Sequence, residues 1–102
     1  MNQFVLIGNV VGDPELLITP TGNKLVHLRV EEERSYTPEG GDDKNRYQVT
    51  CWKTLAEECV TDLKDGALVA IKGRIKTTKY EKDGEERYYP ELIAEKISCL
   101  IN

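Results

Sequence analysis

The sequence predicts an all-β fold of five strands, with a single helix between the third and the fourth. Three observations lead there. Five stretches, 3–11, 24–34, 46–52, 67–80 and 86–100, are rich in β-branched residues or alternate between apolar and polar side chains. Clusters of turn-forming residues separate several of them, at Gly12-Asp13-Pro14-Glu15, Pro20-Thr21-Gly22-Asn23 and Lys82-Asp83-Gly84-Glu85. One stretch alone, 54–64, carries its apolar residues at helical spacing.

The first strand, 3–11, is apolar on both faces, Phe4 and Leu6 on one and Val5 and Ile7 on the other. A strand of that kind needs cover on both sides. A second subunit over Phe4, Val5, Leu6 and Ile7 is the favoured cover; the protein's own fold is the other. Gly8 and Gly12 lack the Gly-Lys-Ser/Thr ending of a phosphate-binding loop. Residues 16–19 read as a short extended piece before a hairpin turn at 20–23.

In the second strand Val26, Leu28 and Val30 face the core, and His27, Arg29, Glu31 and Glu33 face out. His27 is the only histidine and has no second metal ligand at a useful spacing, so an exposed or interface role is expected. Residues 35–45 form a polar loop with Tyr36 at its root. The third strand sets Tyr47, Val49 and Cys51 against Arg46, Gln48, Thr50 and Trp52. The only tryptophan therefore belongs to the polar face. It stacks on a ligand or partner there, or it turns under the following helix.

Thr54 with Glu57 predicts a capping box. Leu55, Ala56, Cys59, Val60 and Leu63 make the helix stripe, a core face rather than a site, and Gly66 is the C-cap candidate. In the fourth strand Val69, Ile71, Gly73 and Ile75 point inward, while Lys72, Arg74, Lys76, Thr78 and Tyr80 point outward. Such a basic row ending in a ring suits a polynucleotide, since cations neutralise phosphates and rings stack on bases. A solvated strand face would read the same way. Asp83-Gly84 is a strong hairpin signal. The last strand buries Ile93, Ile97 and Cys99, and Pro90 marks an edge, a bulge or a break. This order fits a five-stranded Greek-key barrel of the OB type, the helix plugging one end; a small antiparallel α+β sheet is the rival.

The chain has 102 residues, enough for one domain spanning 1–102 with one core. The net charge of −4 argues against a polyanionic ligand only on average. Residues 31–43 hold six acidic side chains and one basic, leaving 13 basic and 12 acidic elsewhere, so a basic surface remains open. Three widely spaced cysteines form neither a disulfide framework nor a zinc pattern, and read as buried free thiols. Neither a long apolar run nor a leader segment stands at the start, which points to the cytoplasm and away from membranes. No pair of groups has the spacing of a nucleophile with its base, and no cofactor or metal is expected.

Residues 2–16, Asn-Gln-Phe-Val-Leu-Ile-Gly-Asn-Val-Val-Gly-Asp-Pro-Glu-Leu, resemble the opening of bacterial single-stranded DNA-binding proteins. Thr21-Gly22, Trp52-Lys53-Thr54-Leu55-Ala56-Glu57, Leu63-Lys64-Asp65-Gly66, Lys72-Gly73-Arg74-Ile75 and the run from Tyr80 to Tyr88 continue the likeness in order. The resemblance implies an OB barrel that binds single-stranded DNA with little sequence preference in replication, recombination or repair, assembles as a homotetramer or at least a dimer, and has no enzymatic activity. It assigns stacking to Tyr36, Trp52 and Tyr80. Arg46 stands where an aromatic is frequent, and a guanidinium there stacks or pairs with phosphate. Lys72, Arg74, Lys76, Lys79, Arg46 and Arg34 would follow the phosphates.

Three features depart from the pattern. Glu31-Glu32-Glu33 replaces small polar residues near the expected DNA path, which should weaken binding or shift the strand. The sequence ends at Asn102, without the linker and acidic tip through which the family recruits replication and repair proteins; a short form or a trimmed chain is expected. Pro90 is the third. The acidic segment and the missing tail also motivate a rival reading, an OB module that binds protein, similar to a primosomal replication protein.

Overall fold

The computed structural model describes residues 1–32 and 44–102. Tyr36, Arg34, Glu33 and most of the predicted polar loop lie outside the described residues. The elements run β1 (Phe4–Val10), β2 (Leu17–Ile18), β3 (Lys24–Glu32), β4 (Arg46–Trp52), α1 (Thr54–Asp62), β5 (Leu68–Lys82) and β6 (Glu85–Ile101). Hydrogen bonding connects β1, β5, β6, β4 and β3 in that order, and β3 pairs again with β1. The five long strands thus close a ring, with the OB-fold arrangement expected from their order. The two-residue β2 pairs with the start of β3. One helix among the described elements separates β4 from β5, and none is long and apolar enough to cross a membrane.

Alternation in β3, β4 and β5 fills the ring. Val26, Leu28, Val30, Val49, Cys51, Val69 and Ile71 are inaccessible to solvent. Burying each such aliphatic side chain contributes about 1.5–3 kcal/mol. Helix α1 adds Ala56 and Cys59, and Leu63 follows directly after it. The Cys51 thiol is hydrogen-bonded to Cys59 and buried, and both effects push its pKa up, so it stays protonated.

Several expectations are corrected. The capping box does not form: Lys53 is the N-cap, no side chain caps the helix, and the Glu57 carboxylate pairs with Lys24 instead. The helix stops at Asp62, because Leu63 is extended at φ −111° and ψ 149°; Gly66 lies in a later turn, where its N–H donates to Val10 O. Val60 is exposed, since the stripe is narrower than the spacing suggested. Cys99 is exposed as well, displaced by an irregularity where Leu68 pairs with Ile101 but Val69 with Cys99. Ile75 is exposed because β5 leaves the barrel there.

That departure builds the second feature of the fold. Beyond Ile75 and Leu92, β5 and β6 continue as a two-stranded ribbon closed by Asp83 (φ 53°) and Gly84 (φ 78°). Two consecutive positive φ values give the turn whose twist matches the strands, as Asp-Gly predicts. Pro90 sits opposite Thr77. Counting from the turn, this is a pair without mutual hydrogen bonds, so the ring nitrogen faces the open edge and costs the ladder nothing. A second irregularity, between Lys72 and Gly73, bends the sheet. A Cβ on Gly73 would meet the Ile93 carbonyl oxygen and the Phe4 ring, so glycine is required at this close approach.

Candidate nucleic-acid interface

Cross-strand partners share a face of a sheet, so the registers lay out the outer wall in rows. Arg74, Ile93, Thr50 and His27 form one row across β5, β6, β4 and β3. The neighbouring row holds Lys76 opposite Glu91 and Gln48 opposite Arg29. Further along, Arg46 stands opposite Glu31 on the barrel. On the ribbon, Thr78 pairs with Tyr89 and Tyr80 with Arg87. Trp52 ends β4 opposite Leu25. Trp52, Arg46, Arg74, Lys76 and Tyr80 are therefore brought to one outward face.

Trp52 falls between its two predicted positions. It belongs to the outward row but is partly buried, with buried Leu25 opposite it. Tyr80 is 40% exposed and packs edge-on against Tyr89, 44% exposed, at 5.6 Å between ring centroids and 63° between planes. The pair fixes both rings while leaving faces open. Lys79 stands apart: it projects from the other side of the ribbon beside Tyr88, paired with Glu86 at 2.7 Å. Lys72 is outward but lies towards β1, opposite Val5 and Lys96.

An open groove of about 560 Å³ runs between β4 and the root of the ribbon. Arg46, Tyr47, Gln48 and Thr50 form one bank, with His27 behind them; Ile75, Tyr89, Glu91 and Leu92 form most of the other. The Gln48 amide nitrogen lies 3.3 Å from His27 Nδ1. Thr78 Oγ1 donates to Glu91 Oε2 at 2.8 Å. Tyr47, expected to face the core, is 37% exposed at the barrel rim, and its hydroxyl reaches Glu32 Oε2 at 3.4 Å.

The acidic segment reaches this wall. Glu31 receives Lys44 Nζ on Oε1 and Arg46 Nε on Oε2, each at 3.1 Å. The Lys44 hydrogen bond, helped by the nearby charges of Lys44 and Arg46, holds the Glu31 carboxyl below the usual carboxylate range despite some desolvation. Among the described residues, no ion pair engages Lys72, Arg74 or Lys76.

Tyr89, Gln48 and Glu91 were not singled out by sequence. The signal for Tyr89 was present: the Asp83-Gly84 turn fixes the ribbon register and sets Tyr89 opposite Thr78, on the face of Tyr80. Nothing local could reveal the groove, because its banks meet only through the parallel β4–β6 pairing at Val49–Leu92 and Thr50–Ile93.

A closed five-stranded barrel with rings and cations on one outer wall defines an oligonucleotide-binding type of module. Comparison with known proteins narrows the class. The model of the single-strand binding protein family matches residues 1–100. Single-stranded DNA-binding protein 3 of Clostridium acetobutylicum is 35% identical over 98% of this chain and 71% of its own length. The single-stranded DNA-binding protein of Clostridium tetani is 36% identical, over 98% and 70%. The chain belongs to the single-strand binding protein family.

Proposed function

We propose that this protein is a passive clamp for single-stranded DNA, a binder with no catalytic step, acting in replication, recombination or repair in the cytoplasm. The observation that carries the reading is the shared outward face of Trp52, Arg46, Arg74, Lys76 and Tyr80. Cations follow the phosphates, and Trp52, Tyr80 and, from outside the described residues, Tyr36 stack on unpaired bases at about 1–3 kcal/mol per base. Arg34 extends the basic path; Lys72, cross-strand from Val5, joins only at its β1 margin, and Lys79 only where the strand passes over the ribbon edge. Duplex DNA hides its base faces, so single strands are preferred without sequence being read along most of the path.

The same reading takes residues 1–102 as one module that self-associates, as a tetramer or dimer. Leu6 lies in the protein's own core and Phe4 packs on it, which leaves Val5, 66% exposed, and Ile7, 45% exposed, for a second copy. Ile101, 67% exposed, extends that apolar row through its pairing with Leu68. A subunit over β1 leaves the groove side free for DNA.

Titration with oligo-dT, followed by Trp52 fluorescence at two salt concentrations, tests the clamp. Quenching is expected, with a log–log salt slope near −0.7 per phosphate neutralised and weaker binding of a duplex of equal length. Absence of binding at low salt would overturn the reading and revive a protein-binding adaptor.

A further inference from the structure

His27 carries an inference that deepens the clamp reading and rests on it. It is the only histidine of the chain, and its side chain is exposed on the outward face of β3. In the row of Arg74, Ile93, Thr50 and His27 the two middle members are buried, so Arg74 and His27 are its projecting ends. His27 also lines two hollows at once. One is the groove between β4 and the ribbon; the other, of about 310 Å³, is bordered by the turn at residues 11–15. Arg29 lines that second hollow and stands opposite Gln48. A strand that leaves the groove for Arg29 therefore passes over the imidazole.

The hydrogen bonding suits both charge states of the ring. The Gln48 amide nitrogen lies 3.3 Å from Nδ1. A neutral ring accepts from the amide there; a charged ring donates, and the carboxamide turns over to present its oxygen. Among the described residues Nε2 has no hydrogen-bond partner, so its N–H is left for a ligand. A neutral ring offers that ligand a dipole, and a charged ring offers a full cation.

The charges that face His27 offset one another. Arg29 follows it on β3, Arg46 comes from β4 and Arg74 from β5; Asp13 and Glu15 come from the turn after β1, and Glu91 from β6. Glu31, further along β3, is taken by Lys44 and Arg46, and Glu57 of α1 by Lys24. Tyr47 and Tyr89 contribute phenol hydroxyls. Three cations thus meet three carboxylates, and an arriving phosphate adds the unbalanced negative charge that favours an imidazolium. Imidazoles as a class change charge between about pH 5 and 8.

We propose that His27 is a phosphate-contacting residue of the single-strand path that acquires its charge with the DNA: binding takes up a proton on the imidazole, and the contact strengthens as pH falls.

The test is the anisotropy of labelled oligo-dT over a salt series at about pH 5.5 and about pH 8, for the wild type, His27→Gln and His27→Lys. In the wild type the log–log salt slope should be steeper by about 0.7 at the lower pH, the value of one further phosphate. Carried from about 1 M down to about 0.1 M salt, that difference makes binding about fivefold tighter. His27→Gln keeps a partner for Gln48 but never charges, so it should hold the wild type's shallower slope at both pH values. His27→Lys is charged throughout and should hold the steeper slope at both. The α-amino group and the carboxylates are common to all three proteins, so the comparison isolates the ring. A wild-type slope that is the same at both pH values, or a pH response of wild-type size in either variant, overturns the contact and leaves the clamp standing. A wild type that binds oligo-dT at neither pH overturns both.

Discussion

Neutralising Glu31 should convert a weak clamp into a stronger one. The carboxylate takes Lys44 and Arg46 at 3.1 Å each, in the manner in which a phosphate would take them. Both cations are more than half exposed, and the Glu31 side chain is 19% exposed. A DNA strand must therefore displace a built-in competitor before using either cation. In Glu31→Gln the amide no longer competes, and up to two further phosphates are neutralised. The log–log salt slope should steepen by as much as about 1.4, at about 0.7 for each. Between about 50 and 200 mM salt, the variant's affinity should then fall about sevenfold further than that of the wild type. Binding to oligo-dT is measured by anisotropy across that range. Because the Glu31 pKa is lowered, this carboxylate stays ionised at pH 5, and its own titration adds nothing to wild-type binding between pH 8 and pH 5. The stability that this depressed pKa contributes is present above the ordinary carboxylate value and is lost as pH falls through the lowered one. An unchanged slope in Glu31→Gln, or weaker binding at every salt concentration, would refute the argument.

Three further outcomes are expected. Lys53 holds φ 57° and ψ −119°, a region costly for any residue with a Cβ, so Lys53→Gly should stabilise the fold by about 1 kcal/mol and raise the melting temperature by several degrees; an unchanged or lower melting temperature contradicts this. Gly73→Ala drives a methyl into the Ile93 carbonyl and the Phe4 ring and should cost about 1–3 kcal/mol in a urea melt, whereas wild-type stability would show that the strands can part. Replacing Val5 and Ile7 together by glutamate should reduce the molar mass measured by light scattering; a mass equal to that of the wild type would remove β1 as the contact between copies.

The barrel was legible because its signals are local and agree with one another. Val26, Leu28 and Val30 alternate with polar residues, and all three fill the core. Asp83-Gly84 placed a turn that the backbone adopts. The errors arise where a distant element decides. Glu57 fits a capping box by spacing, yet Lys24 from β3 captures its carboxylate. Ile75 continues the inward row by period, but the barrel wall ends before it and leaves it on the ribbon. The candidate site was half legible for the same reason. Alternation alone gave the outward row of Arg74, Lys76 and Tyr80. Matching that row with Gln48 and Thr50 required knowing that β4 and β6 run parallel, which no spacing in the chain reveals.

Photo-crosslinking a single strand that carries iodinated uracil, followed by mass spectrometry, addresses the central claim most directly. Adducts are expected on Trp52 and Tyr80. Adducts confined to Tyr88, on the far side of the ribbon, or to the β1 surface would contradict it.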